Sequence, residues 1–340
     1  MNTRWTRPLA ALAFVWVSCF PDAQSTGFQQ ADVVSPALTK DYSGKKVAEN
    51  LQTRFKDTRY DCGKNKAGHP HPAFLCSGIL MRSTSSSPTY FSWTPSPKTA
   101  AWGVSFSWLR QDSNFPENYP SANGFIVYPW FDYPSGKGYV QLMVRCIFPQ
   151  DAWTGAPDRC VTDRTIPVEG RPKSTTQKIC QDQGIYSDKT WMAKFTNDEK
   201  QCAFGVEDWR QTNTAEAWQQ AVDVRKKMNI FVRNEVIVTA WPKDVGARMP
   251  VEAFFYRDNC FYTDKDCGKV TPVADRLSRS DAIRKRIGAA KSDQEAFANE
   301  ANRWVPIIRW TPATEIDGPA TFEYIKDDQA VLQPPDPPTP

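Results

Sequence analysis

Once Cys19 is set aside, the chain carries eight cysteines in four neighbouring couples: Cys62 and Cys76, Cys146 and Cys160, Cys180 and Cys202, Cys260 and Cys267. An even set behind an export-like N-terminus reads as a disulfide framework. Sequence alone leaves the connectivity open. The expected pattern is the local one, Cys62–Cys76, Cys146–Cys160, Cys180–Cys202 and Cys260–Cys267. Each bridge would close a short loop and contribute about 2–4 kcal/mol in chain-entropy terms. Local bridges pin excursions and do not join distant elements, so the fold must rest on ordinary burial. A chain of 340 residues is long enough for that.

The N-terminus supplies the compartment. Arg4 and Arg7 precede the apolar run Leu9-Ala10-Ala11-Leu12-Ala13-Phe14-Val15-Trp16-Val17. A basic start and a short apolar core form a secretory signal peptide, and the run falls short of the roughly 20 residues a membrane span needs. Ala23-Gln24-Ser25 fits a cleavage site, so residues 1–25 are read as the signal peptide. A rival reading acylates Cys19, but Trp16 and Val17 stand where a lipoprotein signal wants Leu and a small residue. The expectation is a secreted protein, extracellular or periplasmic, with no membrane span and a monomeric state. The formal net charge of +4 is spread along the chain, which argues against a nucleic-acid partner. Thirteen tryptophans could stack on carbohydrate, although such residues more often supply core mass.

Periodicity indicates an α+β fold: a strand-rich mixed or antiparallel sheet core with peripheral helices, stabilised by disulfides. Residues 26–46 read as an extended lead-in, 47–325 as one globular domain and 326–340 as a Pro-rich disordered tail. Val47, Leu51 and Phe55 recur at helical spacing. Strands are predicted at 74–82, with Gly78 as a bulge, and at 102–109, 124–128 and 139–146. The 102–109 strand alternates as if one polar face were exposed. Ser187 caps a short helix, and Asn213 with Glu216 opens a longer one. Strands follow at 232–241 and 250–256. Two further helices are predicted, the second starting at a Ser292–Glu295 capping box, and 305–310 closes the sheet with Pro306 marking an edge.

Few residues offer chemistry. The two histidines, His69 and His71, lie in a proline-punctuated stretch between Cys62 and Cys76, which reads as a closed surface loop and not a zinc site. There is no phosphate loop, nucleophile elbow or HExxH helix, and paired cysteines cannot act as nucleophiles. Hydroxyl, carboxylate and guanidinium groups remain. The serine run 83–87 is mostly solvated loop. Arg82, just before it, ends an otherwise apolar strand and must reach either solvent or an anion such as a pyrophosphate. Ser105 and Ser107 share one strand face. Glu235 opens the apolar strand Val236-Ile237-Val238, where a carboxylate could stabilise an oxocarbenium ion. Glu252 is a weaker rival on a nearby strand.

Longer phrases point further. Asp57-Thr58-Arg59-Tyr60-Asp61-Cys62-Gly63, Pro72-Ala73-Phe74-Leu75-Cys76-Ser77-Gly78 and Gly103-Val104-Ser105-Phe106-Ser107-Trp108-Leu109-Arg110 resemble the halovibrin-like family of secreted bacterial proteins. Ala253-Phe254-Phe255-Tyr256 and Val305-Pro306-Ile307-Ile308-Arg309 are also similar, so the likeness runs over residues 47–311. The resemblance implies a toxin-like NAD glycohydrolase or ADP-ribosyltransferase with NAD as substrate and no resident cofactor, acting on NAD alone or with a host protein acceptor. It assigns Arg82 to the pyrophosphate, Ser105 and Ser107 to the support of the site, and Glu235 to the nicotinamide ribose. The chain departs from that class in three ways. It has Ser-Phe-Ser in place of Ser-Thr-Ser, Arg233 in place of a second Glu or Gln, and a long gap between Ser107 and Glu235. These differences weigh against transfer to a protein arginine and leave NAD hydrolysis. The alternative is a non-enzymatic virulence protein engaging a host surface or glycan through exposed aromatics.

Overall fold

The computed structural model describes residues 44–59, 77–84, 104–118, 121–127, 141–151, 179–195, 201–206, 214–241, 251–261, 264–269, 271–301 and 304–330. Nine strands form one sheet: β1 (Ile79–Ser83), β2 (Val104–Leu109), β3 (Asn123–Val127), β4 (Gln141–Phe148), β5 (Phe204–Gly205), β6 (Glu235–Trp241), β7 (Val251–Arg257), β8 (Ile307–Thr311) and β9 (Thr321–Tyr324). Their order is β5-β4-β6-β2-β1-β3-β7-β8-β9. Each neighbouring pair is antiparallel except β7 and β8, which the helix α4 (Arg279–Ala301) joins as a crossover. Among the described residues the other α-helices are α1 (Gly44–Lys56), α2 (Asp188–Lys194) and α3 (Thr214–Lys227). A mixed sheet with four helices outside it is an α+β fold.

The central strands are buried on both faces. One face carries Leu80, Phe106, Trp108, Phe125, Val236 and Phe254, and packs under α2, α3 and α4 through Trp191, Trp218 and Phe297. The other carries Ile79, Met81, Leu109, Ile126 and Phe255, under Val47, Leu51 and Phe55 of α1. The 3.6-residue spacing of the α1 apolar side chains therefore matches its single covered stripe. β2 lies between β6 and β1 and is buried along its whole length. The polar face expected to be solvated is buried instead: Ser105 is nearly covered and Ser107 fully so.

Both sheet edges are closed by glutamine. At β5, the Gln181 carboxamide donates to the Gly205 carbonyl and accepts from its N–H, at 3.2 and 3.0 Å. At β9, Gln52 of α1 accepts from the Phe322 N–H and donates to the Ala320 carbonyl, at 3.3 and 3.1 Å. A primary amide carries one donor and one acceptor side by side, so it satisfies an outward peptide as a further strand would. This blunts edges that would otherwise template association.

Several expectations shift. α1 begins at Gly44, inside the expected lead-in. The expected helix break at Ser292 is absent. Ser292 sits within the continuous α4, its Oγ donating to the Gly288 carbonyl at 3.1 Å. The cap is earlier: Ser278 Oγ accepts from the Asp281 N–H at 3.1 Å. β8 is not the edge, since the four-residue β9 pairs outside it. Order continues past 325. Lys326–Asp328 form a tight turn, Gln329 exchanges hydrogen bonds with the Ile307 peptide, and Ala330 donates to Gln294. The Ser187 cap is present with Thr190 completing it, whereas Asn213 lies outside the described residues.

Two of the expected disulfides are present, Cys180–Cys202 and Cys260–Cys267. Cys146 is also disulfide-bonded. Its expected partner Cys160, and the pair Cys62–Cys76, lie outside the described residues.

Candidate functional site

β1, β2 and β6 are adjacent, and their registers decide which side chains meet. β2 pairs with β6 through Val104↔Val238, Ser105↔Ile237 and Phe106↔Val236. One step further sets Ser107 opposite Glu235, where Cα atoms in antiparallel pairs lie about 4.5–5.5 Å apart. The next step sets Trp108 opposite Asn234, and there the pairing is completed by a side chain. Asn234 Oδ1 accepts from the Trp108 N–H and Nδ2 donates to the Trp108 carbonyl, both at 2.8 Å. Asn234 Nδ2 also donates to Ser113 Oγ at 2.9 Å, tying the turn after β2 to the same point.

Side-chain alternation then separates the candidates. Phe106 and Trp108 face the α3 side with Val236, so Ser105, Ser107 and Glu235 face the other side. Glu235 pairs with Phe148 of β4, and the neighbouring Ile237 packs with Cys146 and Phe148. Glu235 is 4% exposed, Ser105 7% and Ser107 not at all. Carrying the β1–β2 register on from Met81↔Ser107 sets Ser83 beside Ser105 on the same face. Three serines and a carboxylate thus form one patch across three strands.

Arg82 is not among them. It alternates with Leu80 onto the opposite face, where its guanidinium lies 5.7 Å from the Phe106 ring centroid and donates to the Ser105 main-chain carbonyl. Residues 82, 105, 107 and 235 were grouped by type and order, and the strand register sets Arg82 on the face opposite the other three.

The cation on the serine side is Arg233. Its Nη1 donates to Ser107 Oγ at 3.2 Å, and Ser107 Oγ donates to Asn118 Oδ1 at 3.1 Å. Asp151 holds Arg233 twice: its Oδ2 accepts from Nε at 2.7 Å, and its N–H donates to the Arg233 carbonyl at 2.8 Å. Ser105 Oγ has no hydrogen-bond partner among the described residues. A buried hydroxyl without a partner costs free energy unless something occupies it. Behind the patch, Arg225 donates to the carbonyls of Pro149 and Asn114 at 2.5 and 2.7 Å. Burial lowers its pKa to about 9, which leaves it charged at neutral pH. Arg110, paired to Asp112, lies 4.4 Å from the Trp108 ring centroid.

Glu252 is elsewhere. β7 is four strands from β6, and a bulge between Ile126 and Val127 of the β3–β7 pairing accompanies its turn toward α1, where Arg54 Nη1 lies 2.9 Å from Oε2. Sequence reasoning missed Ser83, Arg233, Asn118 and Asp151 as parts of the patch. Ser83 had a signal, its period-two relation to Ile79 and Met81. Asn118 and Asp151 had none, since both reach the patch from irregular segments. A groove of about 620 Å³ between α1 and β9, lined by Lys45, Glu49, Gln52, Phe322 and Tyr324, lies at the far end of the sheet and does not touch the patch.

Cys260, Asp264 and Cys267 come close enough to hold a metal ion. Their electron pairs are committed, because the sulfurs are bonded to each other and Asp264 is paired with Arg257 and Arg286. Of the tryptophans whose burial is described, Trp108, Trp191, Trp218 and Trp310 are buried and offer no stacking surface to a glycan, whereas Trp304 is half-buried. No helix among the described residues is long and apolar enough to cross a membrane. No protein-family model matches the chain, and no curated protein matches it either.

Proposed function

We propose that the chain is a secreted, halovibrin-like protein that hydrolyses NAD at the nicotinamide N-glycosidic bond. What supports this reading is the β2–β6 register, which, carried one step past Phe106↔Val236, sets Ser107 opposite Glu235, with Ser105 and, by the β1–β2 register, Ser83 on the same face. In the reaction the C1′–N bond breaks and its electron pair leaves with neutral nicotinamide. The ribosyl cation that remains needs a nearby negative charge, and Glu235 supplies it from a site of low exposure, where charges interact more strongly than in water. Water then adds at C1′ and releases a proton, giving ADP-ribose. Ser105 and Ser107 hydrogen-bond the ribose hydroxyls. Arg233, fixed by Asp151, supplies positive charge on the side where Arg82 is absent.

The test is nicotinamide release from NAD by purified mature protein, followed by chromatography. Release that disappears in Glu235→Gln, with unfolding behaviour unchanged, supports the reading. No release at high protein concentration overturns it.

A second reading, a non-enzymatic binding protein, is favoured by one observation. Arg82 faces away from the patch and is engaged with Ser105 and Phe106. That reading predicts no cleavage and no affinity for ADP-ribose.

A further inference from the structure

Four large apolar side chains are exposed among the described residues, and two of them, Val273 at 77% and Leu277 at 38%, lie in one turn. Pro272 and Ala274 are exposed beside them. Lone exposed aliphatics need no explanation. This ridge does, because the surrounding loop is braced to hold it outward. Arg276 donates from Nε to the Thr271 carbonyl at 2.7 Å and from Nη2 to the Lys269 carbonyl at 2.8 Å. The Leu277 N–H donates to the Asp266 carbonyl at 2.9 Å. Beneath, the Cys260–Cys267 bridge closes the loop, and the buried Arg286 of α4 holds Asp264 and Asp266 at 3.1 and 2.8 Å. The loop cannot fold its aliphatics inward without breaking these bonds.

The same loop is basic. Lys265 and Lys269 are exposed and make no ion pair among the described residues. Both are adjacent to the ridge: the Thr271 hydroxyl donates to the Lys265 carbonyl at 3.0 Å, and Arg276 bonds the Lys269 carbonyl. Lys285, exposed on α4, sits near Asp266. Asp275 is the acidic residue on the ridge itself.

We propose that this braced turn is a membrane-contact element: Val273 and Leu277 enter the interfacial region of an anionic lipid surface while Lys265, Lys269 and Lys285 face its phosphate and carboxylate headgroups. The composition favours lipid over an acidic protein. Protein hot spots are aromatic or arginine anchors in preformed pockets, whereas this turn exposes two aliphatics with lysines in the same loop, which suits a fluid apolar phase with charge at its boundary. The inference does not depend on NAD cleavage.

The experiment is co-sedimentation of the full mature chain with phosphatidylcholine vesicles, with and without phosphatidylserine. The expected result is binding to the phosphatidylserine vesicles that high salt reverses. Lys265→Gln with Lys269→Gln should weaken it about fivefold per lysine. Val273→Ser with Leu277→Ser should weaken it about tenfold or more. All four side chains are exposed, so the variants should melt as the parent does. Equal loading onto both vesicle types, or variants that bind as the parent, overturns the proposal. Retention on poly-glutamate without vesicle binding also overturns it, in favour of an acidic protein partner.

Discussion

Asn234 exchanges hydrogen bonds with both halves of the Trp108 peptide, so a side chain sets the last rung of the ladder that brings Glu235 opposite Ser107. Replacing it with Ala removes three buried hydrogen bonds and leaves the Trp108 N–H and carbonyl unpaired. The expected cost is about 2–3 kcal/mol in urea unfolding. Nicotinamide release should fall further than stability alone explains, because the register at Glu235 loosens. An Asn234→Ala protein with unchanged stability would contradict the role given to this rung.

The glutamine edges make a separate prediction. Gln52→Leu leaves the Phe322 N–H and Ala320 carbonyl open at β9, and Gln181→Leu does the same to Gly205 at β5. Each variant should lose about 1–3 kcal/mol and self-associate more readily, as exposed strand edges do. Analytical ultracentrifugation of the two variants against the parent reads this directly. If both remain as monodisperse and as stable as the parent, the amides do not protect the edges.

Glu252 governs part of the pH dependence. Burial raises its pKa, and the nearby Arg54 only partly offsets this. In the unfolded chain the group titrates near its ordinary value of 4.5. Above that pH the unfolded chain has released a proton that the folded chain keeps. The contribution to stability is therefore fully present below pH 4.5 and is lost as pH rises through the folded value. Asp293, also raised by burial, acts with the same sign. Glu252→Gln should flatten the fall in stability on the alkaline side of pH 4.5, measured by urea unfolding across a pH series. Parallel profiles for parent and variant would rule the group out.

The Cys180–Cys202 bridge spans 22 residues and fastens the segment that covers the β5 edge. Its replacement by a pair of alanines should cost about 3 kcal/mol. The loss should appear first as faster exchange of the Gly205 amide hydrogen. Loss of stability without that local change would move the effect to the unfolded chain.

The strands and the helical stripe of α1 were legible in the sequence because apolar alternation and 3.6-residue spacing are local signals. What the strands face was not. Ser105, Ser107 and Glu235 read as exposed polar positions and they are buried; Ser107 meets Arg233, 126 residues away in the chain, a contact that local periodicity does not reveal. The parity that turns Arg82 away depends on cross-strand register, which local sequence does not encode. β9 has only four residues and one buried side chain, too little to show a period. At Ser292 the capping signature was real in composition but idle in place, since the hydroxyl bonds back into its own helix.

The most direct test compares nicotinamide release from NAD by the parent, Glu235→Gln and Arg82→Lys. Glu235→Gln should abolish release while keeping its unfolding transition. Arg82→Lys should retain most of the parent's turnover, because Arg82 lies on the opposite face of the sheet from Glu235. Release that survives in Glu235→Gln, or that is lost in a folded Arg82→Lys, would contradict the proposed function.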